Sequence, residues 1–245
     1  MTIRVFPAPG DAAASLADEV LGMVRAKPEL VLGLPTGRTP IGFYRELVRR
    51  IRTGRVDVTR MTTFNLDEFL GVGPAQSGSY RAYMERHLFQ PLGLSPAQVH
   101  FLDGSAADPG QECERYERAI AALGGLDVQI LGIGGNGHIG FNEPGEWLMV
   151  RTHRVALRPE TRRANAGLFD GDADRVPREA LSMGVGTILG ARKLVLLATG
   201  SEKARAVERM VRGPLTTLVP ASFFQLHGDV DVVLDRAAAS RLQPS

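Results

Sequence analysis

Val128-Gln129-Ile130-Leu131-Gly132-Ile133 runs without a break into Gly134-Gly135-Asn136-Gly137-His138. A short apolar run that delivers the chain into a Gly-rich, polar turn reads as a buried strand ending at a ligand edge. The pattern recurs on both sides of this stretch. Leu30 to Leu34 is closed by Pro35-Thr36-Gly37-Arg38-Thr39-Pro40, and Met61 to Leu66 ends at Asp67-Glu68. Leu194 to Ala198 ends at Thr199-Gly200-Ser201, and a last run, Val230 to Leu234, follows Asp229. Between the runs lie helical patterns. Phe43, Tyr44, Leu47, Val48 and Ile51 recur at three- and four-residue steps, and EKARAVERMV follows Ser201. Apolar strands alternating with amphipathic helices predict an α/β fold, with a mostly parallel open sheet covered by helices on both faces. Four of the runs deliver polar, Gly-bearing loops to one edge, where such sheets hold their ligands.

Composition narrows the function classes. The chain has 245 residues, 44% of them apolar and 23% charged, which fits one folded domain spanning 1–245. Lys plus Arg number 29 against 27 Asp plus Glu, a balance that argues against nucleic-acid and membrane-surface partners. The lone cysteine, Cys113, excludes an internal disulfide framework and points to a reducing, cytoplasmic compartment. No apolar stretch approaches the roughly 18 residues of a membrane span, and Asp11, Asp18 and Glu19 interrupt any signal-peptide pattern.

The turns carry the chemistry. Pro40 suits the first turn of a helix, with Thr39 as its N-cap and Gly37 allowing close backbone approach. Free N–H groups there, with Thr36, Thr39 and Arg38, suit a phosphate, and the Walker spacing is absent. An ordinary capped strand-to-helix turn has the same composition, so the turn alone leaves both readings open. Ser201 is placed to cap the following helix with Lys203 in its first turn, where a lysine opposes the dipole unless an anion lies between. Arg162 and Arg163 offer a bidentate clamp or a solvated surface. Gly132 to Gly137 matches G-x-G-x-x-G, but the residues after it do not read as a helix, so no dinucleotide cofactor is expected. Asn136, His138, Asn142 and Glu143 crowd one loop, where His138 can exchange a proton and Glu143 can orient its ring. The other histidines are scattered and no metal spacing occurs, so a metal is not expected. Asp67, beside apolar neighbours, has the setting of a carboxylate base with a raised pKa; alternatively Asp67 or Glu68 caps the next segment. One carboxylate base, one histidine–carboxylate pair and a phosphate cradle suit proton transfer on a sugar phosphate better than acyl transfer.

Several longer segments carry a resemblance. LGLPTGRTPIGFYREL, FNLDEFLG, SYRAYMERHLF, LGIGGNGHIGFNEPG, ALSMGVGTILGARKLVLLATGSEKARAV and PASFFQLHGDVDVVLD occur in the order found in the glucosamine-6-phosphate deaminase family. The chain resembles that family from about residue 30 to about residue 238. The resemblance implies a Rossmann-like domain that converts glucosamine 6-phosphate and water to fructose 6-phosphate and ammonium, without cofactor or metal. It implies catalytic roles for Asp67, Asn136, His138 and Glu143. For the phosphate it implies Thr36, Gly37, Arg38, Thr39, Gly137, Arg162 and Lys203. The related 6-phosphogluconolactonases share the fold, and a galactosamine 6-phosphate deaminase is a further alternative. Two departures stand out: Asn136 where some members have aspartate, and Arg38 where a small residue is usual. The expected partner is an amino-sugar phosphate, with the chain a monomer or a homo-oligomer. Basic residues for an activator site are not evident around Glu146 to Val155, so little activation by N-acetylglucosamine 6-phosphate is expected.

Overall fold

A computed structural model describes residues 1–242. Among the described residues lie ten strands: β1 (Thr2–Phe6), β2 (Val31–Leu34), β3 (Thr62–Asn65), β4 (Asp67–Phe69), β5 (Val99–His100), β6 (Val128–Leu131), β7 (His153–Ala156), β8 (Glu179–Ser182), β9 (Lys193–Ala198) and β10 (Val230–Asp235). The helices are α1 (Pro9–Ala26), α2 (Pro40–Thr53), α3 (Tyr80–Met84), α4 (Gln90–Leu92), α5 (Pro109–Ala122), α6 (Pro159–Asn165), α7 (Val185–Leu189) and α8 (Ala204–Arg212). Seven strands form one sheet in the order β1-β10-β9-β6-β2-β3-β5, and every neighbouring pair in it is parallel.

Alternation along the strands explains the layers. Leu32, Leu34, Val195 and Leu197 face α1 and α2, packing with Leu16, Val20, Phe43 and Leu47. Leu131, Leu194 and Leu196 face the other way, onto Tyr116 and Ile120 of α5, Ile188 of α7 and Val207 and Met210 of α8. Both faces are thus covered, as the continuous apolar runs require.

Sequence patterning did not show a second sheet. After β3 the chain leaves the parallel sheet at Leu66, and β4 pairs antiparallel with β8, which pairs antiparallel with β7. A small core of Phe69, Tyr80, Phe141, Leu157, Val176 and Ala180 lies against it. Asp67 therefore does not end a strand of the main sheet. It opens the first strand of the smaller one, opposite Ser182, at the junction between the two.

Candidate active site

Segments at the carboxyl edge of the parallel sheet, joined by α3 and α6, enclose a cavity of about 260 Å³. One wall is the turn between β2 and α2. Gly37 sits at φ +108°, where a side chain would be strained. Its carbonyl accepts a hydrogen bond from the Tyr83 hydroxyl at 2.6 Å, and the Tyr44 hydroxyl donates to the Pro35 carbonyl. Pro40 opens α2 as predicted, but Thr39 makes no side-chain cap and keeps helical dihedrals. Its hydroxyl is left for a ligand, and Thr36, Gly37, Arg38 and Thr39 all line the cavity.

Lys203 joins them from the turn after β9. The expected cap by Ser201 is absent. A 3-10 turn, Ser201–Lys203, intervenes, and Lys203 stands at the N-cap position of α8 instead of in its first turn. Asp235 holds that turn through the Gly200 N–H, at 3.1 and 3.2 Å. Burial lowers the Lys203 ammonium's pKa; Glu202 offsets part of this and Arg38 adds to it. A half-buried ammonium without a carboxylate contact favours a phosphate beside it.

At the far end lies Asp67. It is buried, and its Oδ1 has no hydrogen-bond partner. Burial, and then the neighbouring Glu68 charge, push its pKa up to about 8. Glu68, adjacent in the chain, has the opposite surroundings. Its carboxylate accepts from the N–H groups of Phe69, Tyr80 and Arg81 and from the Ser79 hydroxyl, at 2.7–3.0 Å. Glu68 caps α3 together with Ser79, whose hydroxyl accepts from the Ala82 N–H at 3.3 Å, and Asp67 is left free to face the cavity.

His138 completes the cavity from the loop after β6. No helix follows that loop before α6, so the G-x-G-x-x-G match lacks the helix a pyrophosphate would need. The glycines serve the imidazole instead. A Cβ at Gly134 would lie 2.2 Å from His138 Cε1, so only glycine lets the ring lie across that position. His138 Nδ1 stands 3.5 Å from Glu143 Oε1, so the carboxylate faces the ring and pairs with it whenever the ring carries a proton on both nitrogens. Asn136 Nδ2 donates to Glu143 Oε2 at 2.8 Å, and the Thr161 hydroxyl donates to Oε1. Burial acts to raise the Glu143 carboxyl's pKa, but the facing imidazole, then Thr161 and Asn136, hold it down at about 2. Glu143 is therefore an anion at any ordinary pH, fixed behind the ring.

Asn136 and Glu143 stand behind His138 and do not line the cavity. Gly137 does not line it either. Its N–H bonds the Gly134 carbonyl, its carbonyl accepts from Ala221 N–H, and Val219 packs on its Cα. Arg162 is turned away as well: its guanidinium donates to the carbonyls of Ala173, Asp174 and Val176. The same short helix α6 instead sends Thr161 and Asn165 to the wall, and Asn165 accepts from the Tyr80 hydroxyl at 2.9 Å. The charge of the PETRRAN arginines points to them in the sequence, whereas its threonine and asparagine carry no such signal. Tyr80 and Phe141, also in the wall, are as apolar in pattern as ordinary core residues. Among the described residues no three His, Cys, Asp or Glu side chains come together to hold a metal ion.

A proton-accepting carboxylate, an imidazole backed by a fixed anion and a cationic, amide-lined turn around one cavity define an α/β protein equipped for proton transfer on a small phosphorylated molecule. The comparisons agree with that class. The profile of the family described as glucosamine-6-phosphate isomerases/6-phosphogluconolactonase matches residues 9–233, and the chain belongs to that family. It is 49% identical to a glucosamine-6-phosphate deaminase of Halothermothrix orenii, over 91% of this chain and 92% of that one. A solved monomeric glucosamine-6-phosphate deaminase superimposes with a TM-score of 0.95 at 41% identity, covering 98% of this chain and 100% of the other. A 6-phosphogluconolactonase from Trypanosoma cruzi, at 20% identity and a TM-score of 0.78 over 99% and 97% of the two chains, shares the fold.

Proposed function

We propose that this chain converts D-glucosamine 6-phosphate and water to D-fructose 6-phosphate and ammonium. The observation that carries the reading is the buried, unpartnered Asp67 carboxylate facing the cavity that His138 and the Lys203 turn also line. The phosphate is held at the turn of Thr36 to Thr39 with Lys203, and its binding energy orients the carbons that react. His138, with Glu143 behind it, takes the proton of the anomeric hydroxyl and returns one to the ring oxygen, which opens the sugar. Asp67 then removes the C2 proton while the C1 carbonyl oxygen takes a proton from the C2 ammonium, which gives the enolamine. Return of the proton from Asp67 to C1 converts it to the ketimine, water adds to the C=N carbon, and the C–N bond breaks with loss of ammonia. Asn136 and Thr161 serve by holding Glu143. The reaction places the protein among hydrolases of amino-sugar catabolism, with the cytoplasm as its compartment. No helix among the described residues is long and apolar enough to cross a membrane.

The test is incubation of the purified chain with glucosamine 6-phosphate, with galactosamine 6-phosphate and 6-phosphogluconolactone in parallel. Equimolar ammonium and fructose 6-phosphate from the first substrate are expected. Lactone hydrolysis without ammonium release would overturn the reading in favour of a lactonase.

A further inference from the structure

Behind the phosphate turn lies a second cavity, of about 460 Å³. It shares Arg38, Thr39 and Lys203 with the first, and Arg45 of α2 lines only this one. Among the described residues, Arg38, Arg45 and Lys203 form no ion pair. Their neighbours on α2 behave differently: Arg49 pairs with Glu46, and Arg50 with both Glu46 and Asp18. Arg45 faces the cavity although Glu46 is adjacent in the chain. Glu202 is the one carboxylate among the lining residues, which leaves three cations against one anion on a concave wall. Such a wall concentrates anions, and guanidinium groups bind phosphate oxygens in pairs. Small residues, Gly42 among them, keep the space open beside the first turn of α1.

We propose that Arg38, Arg45 and Lys203 form a second anion site, which takes the phosphate group of a small phosphorylated molecule distinct from the substrate. A substrate phosphate on the first side of the Arg38-Thr39-Lys203 wall leaves Arg45 unserved. The volume of the second cavity suits a phosphate carrying an organic group. Because the two sites share Arg38 and Lys203, an occupant of the second draws on the same positive charge as the substrate phosphate. It therefore raises KM and leaves kcat unchanged.

Inorganic phosphate is the probe. At subsaturating substrate, reciprocal rate against phosphate concentration is expected to curve upward for the wild type, as two phosphates bind one chain. For Arg45→Ala the plot becomes linear, with kcat and KM in phosphate-free buffer within about twofold of wild type. Arg45→Glu gives the same linear plot, and crystals soaked in tungstate show two anomalous peaks per chain in the wild type and one in either variant. A linear plot or a single peak for the wild type would overturn the proposal, as would persistence of the second site in Arg45→Glu. The tungstate arm reads the site even if ammonium release fails, so the two hypotheses fail separately.

Discussion

The two ends of the cavity are built on opposite principles. At the phosphate end the groups are backbone amides, hydroxyls and cations on turns, with Arg38 exposed and Lys203 half-buried. At the proton-transfer end a carboxylate is sealed among Leu66, Tyr80 and Phe141 without a hydrogen-bond partner, and a second carboxylate is fixed behind an imidazole. The first end is open to solvent, with Arg38 exposed, and can admit a dianion. The second needs exclusion of water, because only burial holds a carboxylate near neutrality as a base strong enough to take a C–H proton. Substitutions at the two ends should therefore separate turnover from affinity.

The largest effect is expected at Asp67. Asp67→Asn should lower kcat by about a thousandfold while substrate still binds. The same change should stabilise the fold. With its pKa at about 8, Asp67 favours folding while neutral, a benefit complete below the unfolded value of about 3.9 and lost as pH rises through 8. Asparagine carries no such loss, so denaturant unfolding at pH 8 should show the variant more stable by on the order of a few kcal/mol, with the gap closing near pH 4. In the wild type kcat/KM should rise with pH toward a plateau above 8, since the free enzyme must ionise its base. A profile flat between pH 6 and 9 would remove Asp67 from that role.

The parallel sheet was legible because buried strands leave long apolar runs, and β2, β3, β6, β9 and β10 fall within or close to the runs that mark them. The small antiparallel sheet was not. Its strands, Asp67–Phe69, His153–Ala156 and Glu179–Ser182, are short, mixed in polarity and far apart in the chain. That blindness matters at the site, since the turn from one sheet into the other buries Asp67 and sets Glu68 against the first N–H groups of α3, beside its cap Ser79. Arg162 fails for a related reason. Its partners are main-chain carbonyls, which leave no trace in side-chain composition. Residues whose reading depends on local chain order, the Thr36 to Thr39 turn, Asp67, His138 and Lys203, all line one cavity.

A middle-sized effect belongs to the phosphate end. Lys203→Ala should raise KM for glucosamine 6-phosphate by about tenfold to a hundredfold, the range of one charge-assisted hydrogen bond, with kcat changed only severalfold. Because the ammonium is only half-buried, added salt should still weaken the interaction in the wild type and matter less in the variant. Steady-state kinetics at two ionic strengths check both. A kcat loss as deep as that of Asp67→Asn would show that the ends are not separable.

The smallest expected effect lies between the two ends, at Asn136. Its amide does two things at once: Oδ1 accepts from the His138 N–H at 3.1 Å, and Nδ2 donates to Glu143. Asn136→Asp keeps the first bond and loses the second, and it sets a second negative charge beside Glu143 and the imidazole. Thr161 still donates to Glu143, so the carboxylate stays in place. We therefore expect kcat at its optimum to change by no more than about threefold, since the lost bond acts on the substrate only through the position of Glu143. The pH profile is the sharper readout. An added anion favours the cationic ring, and a cationic ring cannot accept the anomeric proton, so the ratio of variant to wild-type kcat should fall as pH is lowered, the ionisation of Asp67 being common to both. If the ratio does not change with pH, Asn136 shapes the loop through its bond to the His138 backbone N–H and has no electrical part in ring opening.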